Sequence, residues 1–250
     1  MNQIDLLKSN LFPAKPGDKY ATKTAYFSME FAIDQSLKIY SGGLGYLAGS
    51  HMRSAYELKQ NLIGIGIFWK YGYSDRIRTY EGDISAAFTR KNASFLEELD
   101  LIFPITIHNS IVYVKPYVLY PETFKSAPVF LLSTDVPEND YISRTISNRL
   151  YDPNEATRIA QSILLGVGGA KLLDLLGIDV DIYHMNEGHA LPLCFYLYSK
   201  LKSIQKVRDK VVFTTHTPEK AGNEEHGYKL LEEMTFFYDL DAAAKREVIG

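Results

Sequence analysis

A glycine-rich stretch, Ser41–Ser50, is the part of this sequence best suited to chemistry, and it opens a helical pattern. Glycine lets the backbone approach a ligand closely, and the free amides of a first helical turn attract an anion or polar oxygens. A nucleotide, a phosphate or a sugar phosphate would suit such a place, although a plain turn before a helix has the same pattern. The dinucleotide fingerprint does not fit, because the third glycine is offset and no acidic residue closes a tight βαβ unit.

Polar residues also follow three predicted strands. They are Asp135–Asn139, Asn186–His189 and Thr215–Pro218. Because ligands bind outside the carboxyl ends of parallel strands, we expect these ends and the glycine stretch to converge on one site. Glu30 and Glu187 are candidates for a catalytic carboxylate pair. His189 could donate to a ligand hydroxyl, or it could simply bond a neighbouring carbonyl.

Other reactive residue types give weaker patterns. His184, Glu187 and His189 span a strand-to-helix turn without the HExxH spacing, so no metal site is predicted. Cys194, the only cysteine, lies in an apolar run and is expected to be a buried hydrophobe, not a nucleophile. Arg76 and Arg78 could pair with phosphate, but exposed arginines usually only solvate a surface.

The composition excludes several classes of protein. The chain has 250 residues and a net charge of -3 with mixed signs, which argues against a nucleic-acid surface. Hydrophobic residues make up 46% of it, enough for a sizeable core. No apolar run could span a bilayer, and the polar N-terminus lacks a secretory signal. We therefore expect a cytoplasmic protein with no membrane or nucleic-acid partner.

The elements that must position these residues alternate between strand and helix. Residues 1–23 are predicted to be a lead-in, and residues 24–250 a single Rossmann-like domain. Strands are predicted at Thr24–Phe31, Leu62–Trp69, Pro128–Thr134, Val180–Met185 and Val211–Thr215. The alternating runs Ile102–Ile107 and Ile111–Tyr120 predict an antiparallel hairpin inserted at a sheet edge. The pattern indicates an α/β fold with a mainly parallel sheet.

Three helices frame these strands. The apolar face of the helix after the glycine stretch is predicted to carry Leu44, Leu47, His51, Ala55 and Leu58. A second helix is predicted from a cap at Asp152 to Leu176, with Gly177 ending it. Gly166 within that helix implies close packing. A third helix is predicted from the Asn186–His189 turn to about Lys206.

Six motifs, in order, resemble the α-glucan (glycogen) phosphorylases, most closely the shorter bacterial and archaeal branch. They are Ala25–Phe31, Ile39–Gly49, Leu132–Asn139, Leu164–Gly169, His184–Ala190 and Phe213–Gly222. The resemblance covers roughly residues 24 to 250 and implies a GT-B glycosyltransferase, with two Rossmann-like domains facing each other across a cleft. It also implies transfer of a glucosyl unit from an α-1,4-glucan or maltooligosaccharide to inorganic phosphate, which gives glucose 1-phosphate.

The resemblance assigns residues to roles. Residues Gly42, Gly43 and Leu44 would cradle sugar and phosphate. His189 would touch the glucose, and Glu30 would lie close to the phosphate region; both are predicted to be catalytic. Further substrate-binding residues are predicted at Asn186, Glu187 and His216.

The family cofactor is pyridoxal phosphate. Its lysine is expected in a second domain, so this chain is predicted to hold no cofactor and no metal. The chain is then expected to be an N-terminal piece of a longer enzyme, inactive alone, with a homodimer as an open expectation. Two departures from the family pattern are Ser50, where the short branch usually has Asp, and Ala32, where animal enzymes have a tyrosine. Two alternatives stay open: a nucleotide-sugar glucosyltransferase of the glycogen or starch synthase type, and a non-catalytic carbohydrate-binding module.

Overall fold

A computed structural model describes residues 7, 9–12, 15–216, 219 and 224–249. The strands are β1 Thr24–Phe27, β2 Leu62–Ile67, β3 Asp75–Arg78, β4 Ile84–Ala87, β5 Glu97–Glu98, β6 Phe103–Ile107, β7 Ser110–Leu119, β8 Val129–Ser133, β9 Ile182–Asn186 and β10 Val211–Thr214. The α-helices are α1 Gly43–Glu57, α2 Pro121–Phe124, α3 Tyr141–Thr145, α4 Glu155–Ile163, α5 Gly169–Leu175, α6 Pro192–Leu201, α7 Ile204–Arg208, α8 Tyr228–Glu233 and α9 Ala242–Ile249. Across the described ranges, no helix is long and apolar enough to cross a membrane.

The main sheet has the strand order β10-β9-β1-β2-β8-β7-β5, and β6 pairs with β7. The five strands from β10 to β8 are parallel, and β7 and β5 add antiparallel pairs. Every residue of β2 and β8 is buried, as expected where helices cover both faces of a parallel sheet. The predicted α/β fold with a mainly parallel sheet is confirmed, and the arrangement is consistent with a Rossmann-like fold.

The hairpin at the sheet edge is confirmed as β6–β7. Its two turn residues, His108 and Asn109, both have positive φ, which is the backbone of the tight turns that suit the strand twist. β7 continues past the hairpin and pairs with β8, so the hairpin extends the main sheet. A second antiparallel pair, β3–β4, was not predicted, because only four residues contribute to each strand and nearly all are exposed.

The predicted apolar face of the helix after the glycine stretch is wrong except at Ala55, which is buried. Leu47 is 43% exposed and Leu58 is 46% exposed. The buried positions of α1 are Gly45, Ala48, Gly49, Met52 and Ala55. A Cβ on Gly49 would lie 2.1 Å from the carbonyl oxygen of Ala32, so α1 lies directly against backbone. Such close approach selects small residues for the buried face, even where leucines are available.

The bounds of several elements also differ from prediction. β1 stops at Phe27, because the chain leaves the sheet and Phe31 forms only an isolated bridge to Ile39. The second helix is capped by Asn154, not Asp152: its Oδ1 accepts from the amide of Thr157 at 3.0 Å.

The second helix continues from α4 through a π-helical stretch, Leu164–Gly168, into α5. Gly177, with a φ of 59°, follows its end as predicted. The third helix was predicted too long. It stops at Leu201, because Lys202 takes a φ of 51°, and α7 begins separately at Ile204.

Candidate functional site

The strand order places a topological switch point at the centre of the sheet. From β1 the chain builds outward to β2 and β8 on one side, and it then returns to add β9 and β10 on the other. The loops that leave the carboxyl ends of β1 and β9 therefore diverge and open a crevice between them. Such crevices are where open α/β sheets bind their ligands. We call this side of the sheet the carboxyl edge.

Glu30, just after β1, holds the glycine loop. Its side chain is buried, with only 2% of the residue exposed. One carboxylate oxygen accepts from the amides of Ser41 at 2.5 Å and Gly42 at 3.2 Å. The other accepts from the hydroxyl of Ser41 at 3.0 Å and from that of Tyr151 at 2.5 Å. These hydrogen bonds fix the loop at the start of α1.

The first turn of α1 presents unused donors. Among the described residues, nothing accepts a hydrogen bond from the amides of Gly43, Leu44 and Gly45. A Cβ built on Gly42 or Gly43 would meet no atom within 4 Å, whereas one on Gly45 would clash with Tyr40 and Glu30. Gly42 and Gly43 thus leave open space in front of a 15-residue helix, and the N-terminus of a helix favours negative charge.

A second network lies at the ends of β9 and β10. The side chain of Asn186, 1% exposed, donates to the hydroxyl of Ser28 at 3.1 Å, and its oxygen lies 2.7 Å from Nε2 of His216. Glu187 accepts from the amide of His216 at 2.6 Å. The φ of Glu187 is +64°, a strained conformation for a residue with a side chain. Strain of this kind at a strand end is typical of a functional site.

His189 lies in a 3-10 turn, Gly188–Ala190, that packs against the π-helical stretch. A Cβ on Gly166 would lie 2.7 Å from the carbonyl oxygen of Ala190, so the glycine permits this close contact, as predicted. The Nδ1 atom of His189 is buried with no hydrogen-bond partner among the described residues. Burial lowers the pKa of His189, although the negative charges of Glu224, Glu187 and Glu30 act to raise it. Burial therefore favours the neutral imidazole, which can donate one hydrogen bond.

The surroundings of His189 are negatively charged. Its pKa responds to Glu30, Glu187 and Glu224, so all three carboxylates lie near it. Carboxylates accept hydrogen bonds from hydroxyl groups and repel anions. The oxygens of Glu30 already accept four hydrogen bonds, and Glu224 pairs with Arg158. The carboxylate left beside the free amides and the imidazole is Glu187, one oxygen of which accepts from His216. The arrangement therefore suits a ligand rich in hydroxyl groups, such as a sugar, better than a free anion.

The Asp135–Asn139 segment lies at the same edge but farther out, after β8. Asp135 pairs with Lys70 at 2.7 Å and with Arg144 at 2.7 Å. Burial raises the pKa of Asp135, but the hydrogen bonds from Lys70 and Arg144 outweigh it and hold that pKa below its usual value. Asn139 bonds the backbone of Tyr113 and Thr134. These contacts brace the sheet and occupy the polar groups of the segment.

The structure brings most of the predicted site residues into two bonded groups. One joins Glu30 to the loop that carries Gly42, Gly43 and Leu44, and the other joins Asn186, Glu187 and His216. Glu30 and Glu187 serve different loops, so their role as a catalytic pair stays a prediction. The motif residues Thr217–Pro218 and Ala221–Gly222 lie outside the described residues.

Some residues considered from the sequence lie elsewhere. Arg76 and Arg78 are exposed on β3. Nε2 of His184 bonds the hydroxyl of Thr214 at 2.7 Å. Burial raises the pKa of Cys194 to about 11, which makes it a poor nucleophile. Tyr151 was not predicted from the sequence, because no residue close to it in the chain indicates its contact with Glu30, 121 positions away.

Several known proteins are similar in sequence to this chain. Over 222 residues the chain is 36% identical to a maltodextrin phosphorylase of Thermococcus litoralis, and the match covers 82% of this chain and 26% of that protein. It is 32% identical over 240 residues to a glycogen phosphorylase of Aquifex aeolicus, covering 90% and 34%. An uncharacterized protein of Methanocaldococcus jannaschii is 47% identical over 227 residues, covering 91% and 43%. No family model matches the chain. The chain thus spans between 26% and 43% of the length of these relatives.

Proposed function

This chain is related to the maltodextrin and glycogen phosphorylases, and from that relationship we propose that it forms the glucan-binding half of an α-glucan phosphorylase. The reaction proposed is transfer of a glucosyl unit from an α-1,4-glucan to inorganic phosphate, giving glucose 1-phosphate. The proposal rests on one observation above all. Two relatives named as phosphorylases match at least 82% of this chain, at 32% and 36% identity.

The chemistry of the carboxyl edge supports a sugar as ligand. Sugar hydroxyls both donate and accept, so they can bond Glu187 and the free amides of Gly43 and Leu44 together. His189 then contacts the glucosyl unit and donates a hydrogen bond to one of its hydroxyls. Asn186, Glu187 and His216 form the wall on the β9 side. Glu30 acts by holding the loop in place, since its own oxygens already accept four hydrogen bonds.

Phosphate needs positive charge that these residues do not offer. Lys70 and Arg144 are both paired with Asp135, and Arg158 is paired with Glu224 at 3.0 Å. The amides at the start of α1 are the donors best placed for a phosphate oxygen that arrives beside the sugar. We propose that most of the cationic groups for phosphate come from a second domain facing the carboxyl edge, in a GT-B arrangement.

The described residues do not fit pyridoxal phosphate. The aldehyde of this cofactor bonds a lysine amine, and Lys70, which follows β2 at the carboxyl edge, is already paired with Asp135 at 2.7 Å. We therefore place the cofactor lysine outside the described residues. The 250-residue chain alone is then inactive in phosphorolysis. A cytoplasmic location and a homodimer remain part of the proposal.

The test is an activity assay of the natural gene product loaded with pyridoxal phosphate. Incubation with maltooligosaccharide and phosphate should release glucose 1-phosphate, and omission of phosphate should abolish the product. Glucan extension from a nucleotide sugar without phosphate would instead establish the synthase-type alternative. Glucan binding without turnover in either assay would indicate a carbohydrate-binding module.

His189→Ala tests the proposed sugar contact in the same assay. A hydrogen bond that strengthens in the transition state lowers kcat and kcat/KM together when it is removed, here by about a hundredfold. His184→Ala is the control, because His184 is also a half-buried histidine of this region but bonds Thr214. A His189 variant with unchanged kcat and a lower Tm would show that the histidine only supports the fold.

A further inference from the structure

The carboxylate of Glu30 bonds the start of the glycine loop. Three of the four hydrogen bonds to Glu30 come from Ser41 and Gly42, inside the loop itself. The fourth comes from the hydroxyl of Tyr151, at 2.5 Å. Among the described residues, Tyr151 is the only donor to this carboxylate from outside the loop. A hydrogen bond from a neutral hydroxyl to a carboxylate is stronger than one between neutral groups.

The hydroxyl of Tyr151 is a permanent donor. Burial raises the pKa of Tyr151, and the neighbouring charge of Glu30 raises it further. The phenol therefore keeps its proton throughout the physiological range, and the bond to Glu30 does not depend on pH there.

The backbone around Tyr151 holds the side chain in one position. Its φ is +56°, in the left-handed region that a bulky residue rarely adopts. The segment before it is fixed because Gln161, fully buried, donates to the carbonyl oxygens of Ile146 and Arg149. The amide of Leu150 also bonds the carbonyl of Gly72. A strained residue kept in place by its neighbours is typical of a functional position.

The ring of Tyr151 reaches the other half of the site. Its centroid lies 6.0 Å from the ring of His189 and 6.5 Å from that of Tyr73. One side chain thus contacts His189 with its ring and Glu30 with its hydroxyl. These two contacts lie on opposite sides of the crevice, one after β9 and the other after β1.

We infer that Tyr151 is a positioning residue that sets the distance between the glycine loop and His189, and this inference rests on the proposed function for its effect on catalysis. Tyr151 itself need not touch the substrate. It acts through Glu30, which transmits the constraint to the amides of Ser41 and Gly42. Loss of the hydroxyl would remove the hydrogen bond that links Glu30 to Tyr151, and the sugar would no longer be held at a fixed distance from His189.

The test is Tyr151→Phe, which keeps the ring and removes only the hydroxyl. The matched control is Tyr73→Phe, since Tyr73 contacts the same ring but makes no hydrogen bond with a described residue. Hydrogen exchange of the Ser41 and Gly42 amides should quicken by about tenfold or more in Tyr151→Phe and stay unchanged in Tyr73→Phe. The kcat of the gene product should fall by about tenfold or more without a matching loss of Tm, because a small misplacement of reacting groups is costly.

A double variant completes the design. If Tyr151 acts through Glu30, Tyr151→Phe should slow kcat much less in a Glu30→Gln background than in the natural protein. Equal slowing in both backgrounds, or unchanged exchange at Ser41 and Gly42, would overturn the inference. If the natural protein proves to have no phosphorolytic activity, the proposed function fails, and the exchange measurement still decides the role of Tyr151.

Discussion

The parallel sheet presents different groups at the edge where its strands begin, the amino edge, and at the carboxyl edge. At the amino edge, a cavity of about 280 Å³ lies beside the starts of β1 and β2, and its lining includes Ile63, Ile178 and Val180. At the carboxyl edge, the notable features are buried polar side chains and two residues in strained backbone, Tyr151 and Glu187. The presence of a cavity does not identify a site. Buried groups whose hydrogen bonds converge, next to donors that have no partner, indicate where a polar ligand binds.

Two polar side chains of the amino edge bond the backbone of that edge. The side chain of Asp181 accepts from the amide of Lys23 at 2.9 Å, and Asn61 donates to the carbonyl of Ala21 at 3.3 Å. The pair Lys23–Asp179 is exposed and worth little. At the carboxyl edge, Nδ1 of His189 and the amides of Gly43 and Leu44 have no hydrogen-bond partner among the described residues. Four substitutions test this contrast, and they are ordered by their expected effect on stability.

Glu30→Gln should have the largest effect. The amide group would place a donor where the carboxylate accepts from the amides of Ser41 and Gly42. We expect a loss of about 3 kcal/mol in the free energy of unfolding, measured by urea denaturation. The control is Glu98→Gln, whose side chain is 62% exposed and pairs across the surface with Lys115, so less than about 1 kcal/mol should be lost. Equal losses for the two variants would show that Glu30 is not a structural anchor.

Gly49→Ala should cost about 2 kcal/mol of stability, because the new Cβ would lie 2.1 Å from the backbone oxygen of Ala32. Ser50→Ala, at the next and exposed position of α1, should be neutral or slightly stabilising, since alanine is the better helix former. Thermal unfolding of both variants measures the difference. A neutral Gly49→Ala would mean that α1 does not lie directly against the Ala32 backbone.

Ile178→Ala tests the amino edge. The side chain is partly buried beside the cavity, so truncation should lower the free energy of unfolding by about 1 kcal/mol. Affinity for maltooligosaccharide should not change. A loss of affinity beyond what the stability change explains would move the ligand site to the amino edge and reverse the comparison.

Features that depend on residues close together in the chain could be predicted from the sequence. The alternation of isoleucine with glycine predicted β2, an apolar run predicted β8, and two alternating runs predicted the β6–β7 hairpin. The polar residues after β1 and β9 indicated a site at the carboxyl edge, which stays a prediction. Where two distant segments meet, local pattern was not sufficient. The buried face of α1 depends on its contact with the Ala32 backbone. The contact of Tyr151 with Glu30 joins residues 121 positions apart, which periodicity does not encode.

Gly43 provides the most direct test of the account, because its role can be separated from stability. Its φ is not positive, and a Cβ there would meet no protein atom within 4 Å, so Gly43→Ala should fold as well as the natural protein. Gly227→Ala is the matched control: Gly227 is the N-cap of α8, and the space around it is equally open.

The decisive measurement is the affinity of the gene product for maltoheptaose, with and without phosphate, determined by calorimetry for the natural protein and both variants. If the loop presents its amides to the ligand, Gly43→Ala should weaken binding by about tenfold or more, because the Cβ occupies the space that the ligand needs. Gly227→Ala should bind as the natural protein does. Unchanged affinity in Gly43→Ala would show that the loop is only a turn before a helix, and it would contradict the proposed site.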